Sequence, residues 1–141
     1  MRSLRWTPEH SVFVPEIDAQ HQEMFRLAEE LRRAVLAGEK PGELELLRRR
    51  LASEIAGHLS HEERLMRAAE YPAFDWHERQ HQTARAKLIT LKRDIESGEW
   101  QAMFESLESL AGWMRDHTSV ADRMAGAYLR NHWRASACAI C

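Results

Sequence analysis

Four apolar stripes, each advancing at the helical angle of about 100° per residue, leave this chain little choice of architecture. Ile17, His21, Met24, Ala28, Leu31 and Val35 fall within an arc of about 80°, with Asp18 expected as the N-cap and Gly38 as the stop. Leu44, Leu47, Leu51, Ile55, His58, Glu62 and Leu65 share a similar arc after Pro41. The third stripe runs through Phe74, His77, His81, Ala84, Leu88, Leu91 and Ile95 until Gly98, and the fourth takes Met103, Leu107, Leu110, Met114 and His117. Their separators, "AGEKPG", "AAEYPAF" and "ESGEW", are short, and short links between helices favour antiparallel neighbours. No run alternates as a β-strand does. The expected fold is therefore all-α, an up-down antiparallel four-helix bundle. A non-helical N-terminal arm, "MRSLRWTPEHSVFVPEI", precedes it and should cover one end of the core with Trp6, Val12, Phe13 and Val14. Residues 1–130 are expected to form one domain and 131–141 a short tail, with no packing stripe beyond Tyr128.

Bulk properties remove several function classes. A chain of 141 residues, 44% hydrophobic, is most simply one domain, able to bury roughly two thirds of its unfolded surface. A formal net charge of -2 with mixed signs offers no basic footprint for nucleic acid. No apolar run reaches the ~18 residues of a membrane span, and the N-terminus lacks the apolar segment of a signal peptide, so a cytoplasmic protein is expected. The only two cysteines, Cys138 and Cys141 in "CAIC", cannot support the fold as disulfides and are expected to be a pair of free thiols.

The stripes are interrupted by polar residues at inward positions. Each carries histidine, and the second also carries Glu62 in "HLSHEERLM". In an antiparallel bundle His21 opens the first helix, His58 closes the second, His77 and His81 open the third and His117 falls late in the fourth. All of them arrive at one end. A buried unpaired carboxylate is costly and buried imidazoles need partners, so the cluster must be neutralised, and a metal does this best. Two i,i+4 pairs, His58 with Glu62 and His77 with His81, each stack on one helical face and can grip one site. His117 and Asp122 are five apart, about 140° out of phase on an ideal α-helix, and share a face only if the helix bulges or ends between them. Glu63, about 100° round from Glu62, is expected to be a solvated charge, and His61 to be partly exposed.

These residues resemble the hemerythrin family, in particular its single-domain bacterial members. The resemblance runs from Trp6 to about Tyr128 and rests on "DAQH", "HLSHEERLM", "YPAFDWHERQH" and "WMRDHTSVAD", with Leu59 standing where the family usually has phenylalanine. It implies a non-heme centre of two iron ions bridged by an oxo or hydroxo oxygen. His77, His81 and His117 would bind one iron and His21 and His58 the other, with Glu62 and Asp122 bridging. It further implies reversible binding of dioxygen at the open position of the iron held by His21 and His58, for oxygen storage, delivery or sensing, and not an enzyme. Met24, Phe25, Leu110, Trp113 and Met114 are the expected wall of the dioxygen pocket. The expected partners are dioxygen itself and an oxygen-using enzyme as recipient, with the chain a monomer or weak homo-oligomer. The rival is a diiron redox enzyme acting on peroxide, nitric oxide or dioxygen. Ferritin-like diiron enzymes use mostly carboxylates, and the nitrogen-rich set here favours reversible binding.

Overall fold

A computed structural model of the chain describes residues 4–140, with side chains to residue 137. Every regular element among them is helical: α1 (Pro15–Leu36), α2 (Pro41–Ala68), α3 (Phe74–Ser97), α4 (Trp100–His117) and α5 (Arg123–Ile140). A 3-10 turn at Pro8–His10 lies in the arm, and a π-helical turn at Thr118–Asp122 joins α4 to α5. α1 packs on α2, α2 on α3, α3 on α4 and α4 back on α1, which closes the four-helix bundle. Gly38 and Gly98, at φ of 68° and 75°, turn the chain after α1 and α3 where a side chain would be strained.

Burial follows the stripes. Leu31, Leu51, Ile55, Leu59, Leu91, Leu107 and Leu110 are fully buried in one continuous core, so Leu59 is packed despite its departure from the usual phenylalanine. Two smaller apolar clusters close one end of the bundle: Val12, Val14, Ile17, Ala69 and Leu129 in one, Met66, Tyr71 and Ala125 in the other. Along α1 the order is Ile17 in an end cluster, then His21, then Met24 in the main core, and along α2 it is Leu59 in the main core, Glu62, then Met66. The polar residues thus form a layer between two apolar regions.

Two expectations need correction. Asp18 is not the N-cap: α1 begins at Pro15, whose fixed φ suits a first helical position, with Val14 before it and no side-chain cap. Asp18 sits one turn in and accepts hydrogen bonds from the Ser11 hydroxyl (2.6 Å) and the Val12 N–H (2.8 Å), pinning the arm to α1. The packing at the C-terminus also continues past Tyr128. α5 carries on from the π turn, and Ala125 and the fully buried Leu129 anchor it. Residues 131–137 are helical and exposed or half-buried, while Cys141 and the side chain of Cys138 lie outside the described residues.

The arm crosses α5 at Gly126, where a Cβ would stand 1.9 Å from the Val12 carbonyl oxygen, so only glycine allows this approach. Phe13, half-buried at φ 69°, faces the guanidinium groups of Arg123 and Arg130 at 5.2 and 5.5 Å. Trp6 packs on the main core and Val12 and Val14 in an end cluster, so three of the four expected side chains of the arm cover the bundle, while Phe13 meets the two arginines instead. Among the described residues no helix is long and apolar enough to cross a membrane.

Candidate metal centre

The π turn decides whether the site closes. A π-helical turn bonds i to i+5, which brings residues five apart onto one face, as i+4 does on an α-helix. It occurs where "HTSVAD" needed a bulge, and it turns both His117 and Asp122 inward, at 5% and 2% exposure. His21, His77 and His81 are fully buried, His58 is 3% exposed and Glu62 1%. All seven expected ligands therefore meet in one buried layer.

Their ligand atoms fall into two groups, each within 4.8 Å: Glu62, His77, His81, His117 and Asp122 in one, His21, His58, Glu62 and Asp122 in the other. The two carboxylates belong to both. Glu62 Oε1 lies 2.6 Å from His77 Nε2 and 3.1 Å from His81 Nε2, and its Oε2 is 3.5 Å from His58 Nε2. Asp122 Oδ2 lies 3.0 Å from His21 Nε2, and Oδ1 lies 3.0 and 2.9 Å from the Nε2 atoms of His77 and His117.

The tautomers show what this convergence suits. Glu63 Oε2 is 2.8 Å from His81 Nδ1, and a carboxylate only accepts, so Nδ1 carries a proton and donates outward while Nε2 points inward at Glu62. His58 Nδ1 and His117 Nδ1 donate in the same way to the side-chain carbonyls of Gln20 (2.7 Å) and Gln80 (2.8 Å). Facing Nε2 atoms stand 3.1 Å apart between His21 and His58 and again between His77 and His117. Glu62 Oε2 and Asp122 Oδ1 are buried without a hydrogen-bond partner. Imidazole Nε2 atoms and shared carboxylate oxygens converging in a dry layer fit cations.

Charge balance within the layer is shared unevenly. Burial would lower the His77 imidazole, but Asp122 and Glu62 beside it raise it to about 9. His21 is raised as well: burial opposes it, but Asp122 outweighs that. Burial dominates at His58 and pushes it down to about 4. Burial would raise Asp122 and Glu62, yet the surrounding imidazoles hold both below their ordinary values, Asp122 well below.

The expectation of a solvated Glu63 is overturned. It is 9% exposed, and besides His81 it holds Arg85 at 3.0 Å. Its side chain reaches across from α2 to α3, where the guanidinium supplies the counter-charge that a 100° offset on α2 alone does not reveal. Burial would raise its carboxyl, but Arg85 and His81 hold it below the usual range. Gln20, Gln80, Glu63 and Arg85 are the participants that the stripes missed. A signal was present for the first two: the dipeptide Gln-His recurs as Gln20–His21 and Gln80–His81, and each glutamine serves the histidine of the next helix. His61 is half-buried, 3.6 Å from Glu16, and outside both ligand groups.

Of the expected pocket wall, Met24, Phe25, Leu110 and Met114 are buried in the main core. Trp113 is half-buried and lies flat against the His117 ring, centroids 4.3 Å apart and planes 13° apart. It therefore borders a histidine of the five-residue group.

Fold and layer together define a metal-binding four-helix bundle. The sequence profile of the hemerythrin HHE cation binding domain matches residues 12–129, and the chain belongs to that family. No curated protein sequence matches it.

Proposed function

We propose that this protein binds dioxygen reversibly at a centre of two iron ions. His77, His81 and His117 would hold one iron, His21 and His58 the other, and Glu62 and Asp122 would bridge them. The observation that carries this reading is the unequal donor set: five residues converge on one position and four on the other, with both carboxylates shared. Five protein donors exceed the four of structural zinc, and imidazole with carboxylate suits iron. A cation at the four-donor position would have fewer protein ligands and so a coordination position left for a further ligand. Two ferrous ions, when bound, would supply the electrons for binding dioxygen.

The protein's own part is to orient and to exclude. Gln20, Glu63 and Gln80 fix three imidazoles with Nδ1 protonated and Nε2 inward. The main core on one side and the end clusters on the other keep water from the layer. Storage, delivery or sensing of oxygen all use this arrangement, and it needs no side chain acting as acid or base.

The test is the visible spectrum of iron-loaded, reduced protein before air, after air and after degassing, with an iron count. A band that appears with air and disappears on degassing, at two irons per chain, supports the proposal. One-way conversion to a permanently oxidised spectrum refutes reversible binding and favours a diiron redox enzyme. Failure to take up iron refutes the centre.

A further inference from the structure

Three Nδ1 atoms in the layer have partners, and those partners differ in charge. His58 and His117 each face a neutral amide oxygen, from Gln20 and Gln80. His81 alone faces a carboxylate, Glu63, at 2.8 Å. That carboxylate is held from behind by Arg85 at 3.0 Å, one turn along α3 from His81. Glu63 and His81 are buried, whereas the Arg85 side chain is 32% exposed, so the chain of contacts runs from the surface to the five-residue group. The four-residue group has no such chain, since His21 Nδ1 is buried without a partner and His58 meets only the amide.

A carboxylate drawing on the outer N–H makes an imidazole more basic at its other nitrogen, and a more basic donor favours the higher oxidation state of its metal. Resting on the diiron reading, we infer that Glu63 is a positioning residue whose hydrogen bond makes His81 the most electron-rich of the five imidazoles, lowering the reduction potential of the iron it holds. Arg85 limits the effect by taking part of the carboxylate's charge. The two irons are then unequal in potential as well as in ligand number.

The two variants Glu63→Gln and Arg85→Met separate this from mere packing. Glu63→Gln keeps the shape and an acceptor oxygen but removes the charge, so the potential of the centre should rise. A tenfold loss of preference for the ferric state is expected, which is about 59 mV for one electron. Arg85→Met keeps the aliphatic stem and frees the carboxylate to pull harder, so the potential should fall, while Arg85→Lys should restore it. A structural defect would move the two variants the same way. The measurement is a mediated redox titration of iron-loaded protein with metal counts, joined by NMR of the His81 Nδ1 proton in zinc-loaded protein, which should move upfield in Glu63→Gln. Unshifted potentials in a wild type and variants that each hold two irons, or shifts of one sign, overturn the role of Glu63 alone. A wild type that takes up no metal overturns the diiron reading and this inference with it.

Discussion

Gly126→Ala should loosen the arm and destabilise the end of the bundle that carries the candidate centre. The added Cβ meets the Val12 carbonyl oxygen at 1.9 Å and its carbon at 2.9 Å, while ordinary contact begins at 3.4 Å. The arm must retreat by about 1.5 Å, and backbone cannot yield as a flexible side-chain tip does. Val12 is fully buried, and complete loss of that burial costs ~1.5–3 kcal/mol. The Asp18 hydrogen bonds that fix Ser11 and Val12 add about 1 kcal/mol each if broken. Alanine's better helix propensity offsets about 1 kcal/mol. A partial retreat leaves a net loss of about 1–3 kcal/mol, or roughly 3–9 °C in Tm for a chain of this size. Gly57 is the control: it is exposed within α2 and a Cβ there meets nothing within 4 Å, so Gly57→Ala should stabilise by about 0.5–1 kcal/mol. The assay is thermal unfolding of both variants at matched metal loading, since bound metal itself shifts Tm. A Gly126→Ala protein as stable as wild type would refute the close approach of arm and α5.

Four further outcomes concern the layer and its surroundings. Metal affinity should rise with pH up to about 9, by at least about tenfold per unit, because His77, and His21 where it too is protonated, must lose a proton to coordinate; a competition titration giving a flat profile contradicts that proton release. In metal-free protein the same shift stabilises most below the ordinary value of 6.5 and is lost as pH rises through about 9, which pH-dependent melting reads. Leu110→Ala should cost about 2–5 kcal/mol and open space in the core, hastening irreversible oxidation of the air-exposed iron protein; an unchanged rate there and in Trp113→Ala removes both residues from the pocket. Deleting the exposed Ser119 should convert the π turn to an α turn with His117 and Asp122 in i,i+4 register, keeping α5 in phase and two metals bound; loss of metal in a folded deletion variant shows that the wider turn itself is required.

The stripes made the bundle legible because each helix buries one face, and a residue's angle on a helix follows from its number alone. That same arithmetic located His21, His58, Glu62, His77, His81 and His117 at one end. It also flagged Asp122 as out of phase, and the π turn is the physical answer. Arithmetic on single helices fails where a side chain reaches a neighbour. Glu63 points away from the α2 stripe, yet its length spans to His81 and Arg85 on α3, a pairing that depends on how two helices sit against each other. The start of α1 was hidden for a different reason. Pro15 can open a helix without any side-chain cap, which left Asp18 free to bind the arm instead. Leu129 is hard to read from the sequence because Ala125 and Leu129, one turn apart, are too few to make a stripe on α5.

The seven ionisable ligands buried in one layer are a heavy burden for one bundle, and their placement determines how the protein should respond when metal is withdrawn. The main core, from Leu31 and Val35 through Leu51, Ile55, Leu91 and Leu107, is continuous and lies on one side of the layer. On the other side the end clusters are small, and the layer separates them from that core. Without cations, five buried imidazoles must share the two carboxylates and whatever protons His77 and His21 retain, a balance less complete than a bound metal gives, and admitting water is the cheapest relief. Opening should therefore be local. Hydrogen exchange on chelator-treated protein should show lost protection in residues 17–21, 58–66, 74–81 and 117–129, with protection retained in the main-core segments of α1 to α4. Uniform loss of protection along all four helices would mean that the metal centre holds the whole fold, and no loss anywhere would mean that the imidazoles and carboxylates satisfy one another without it.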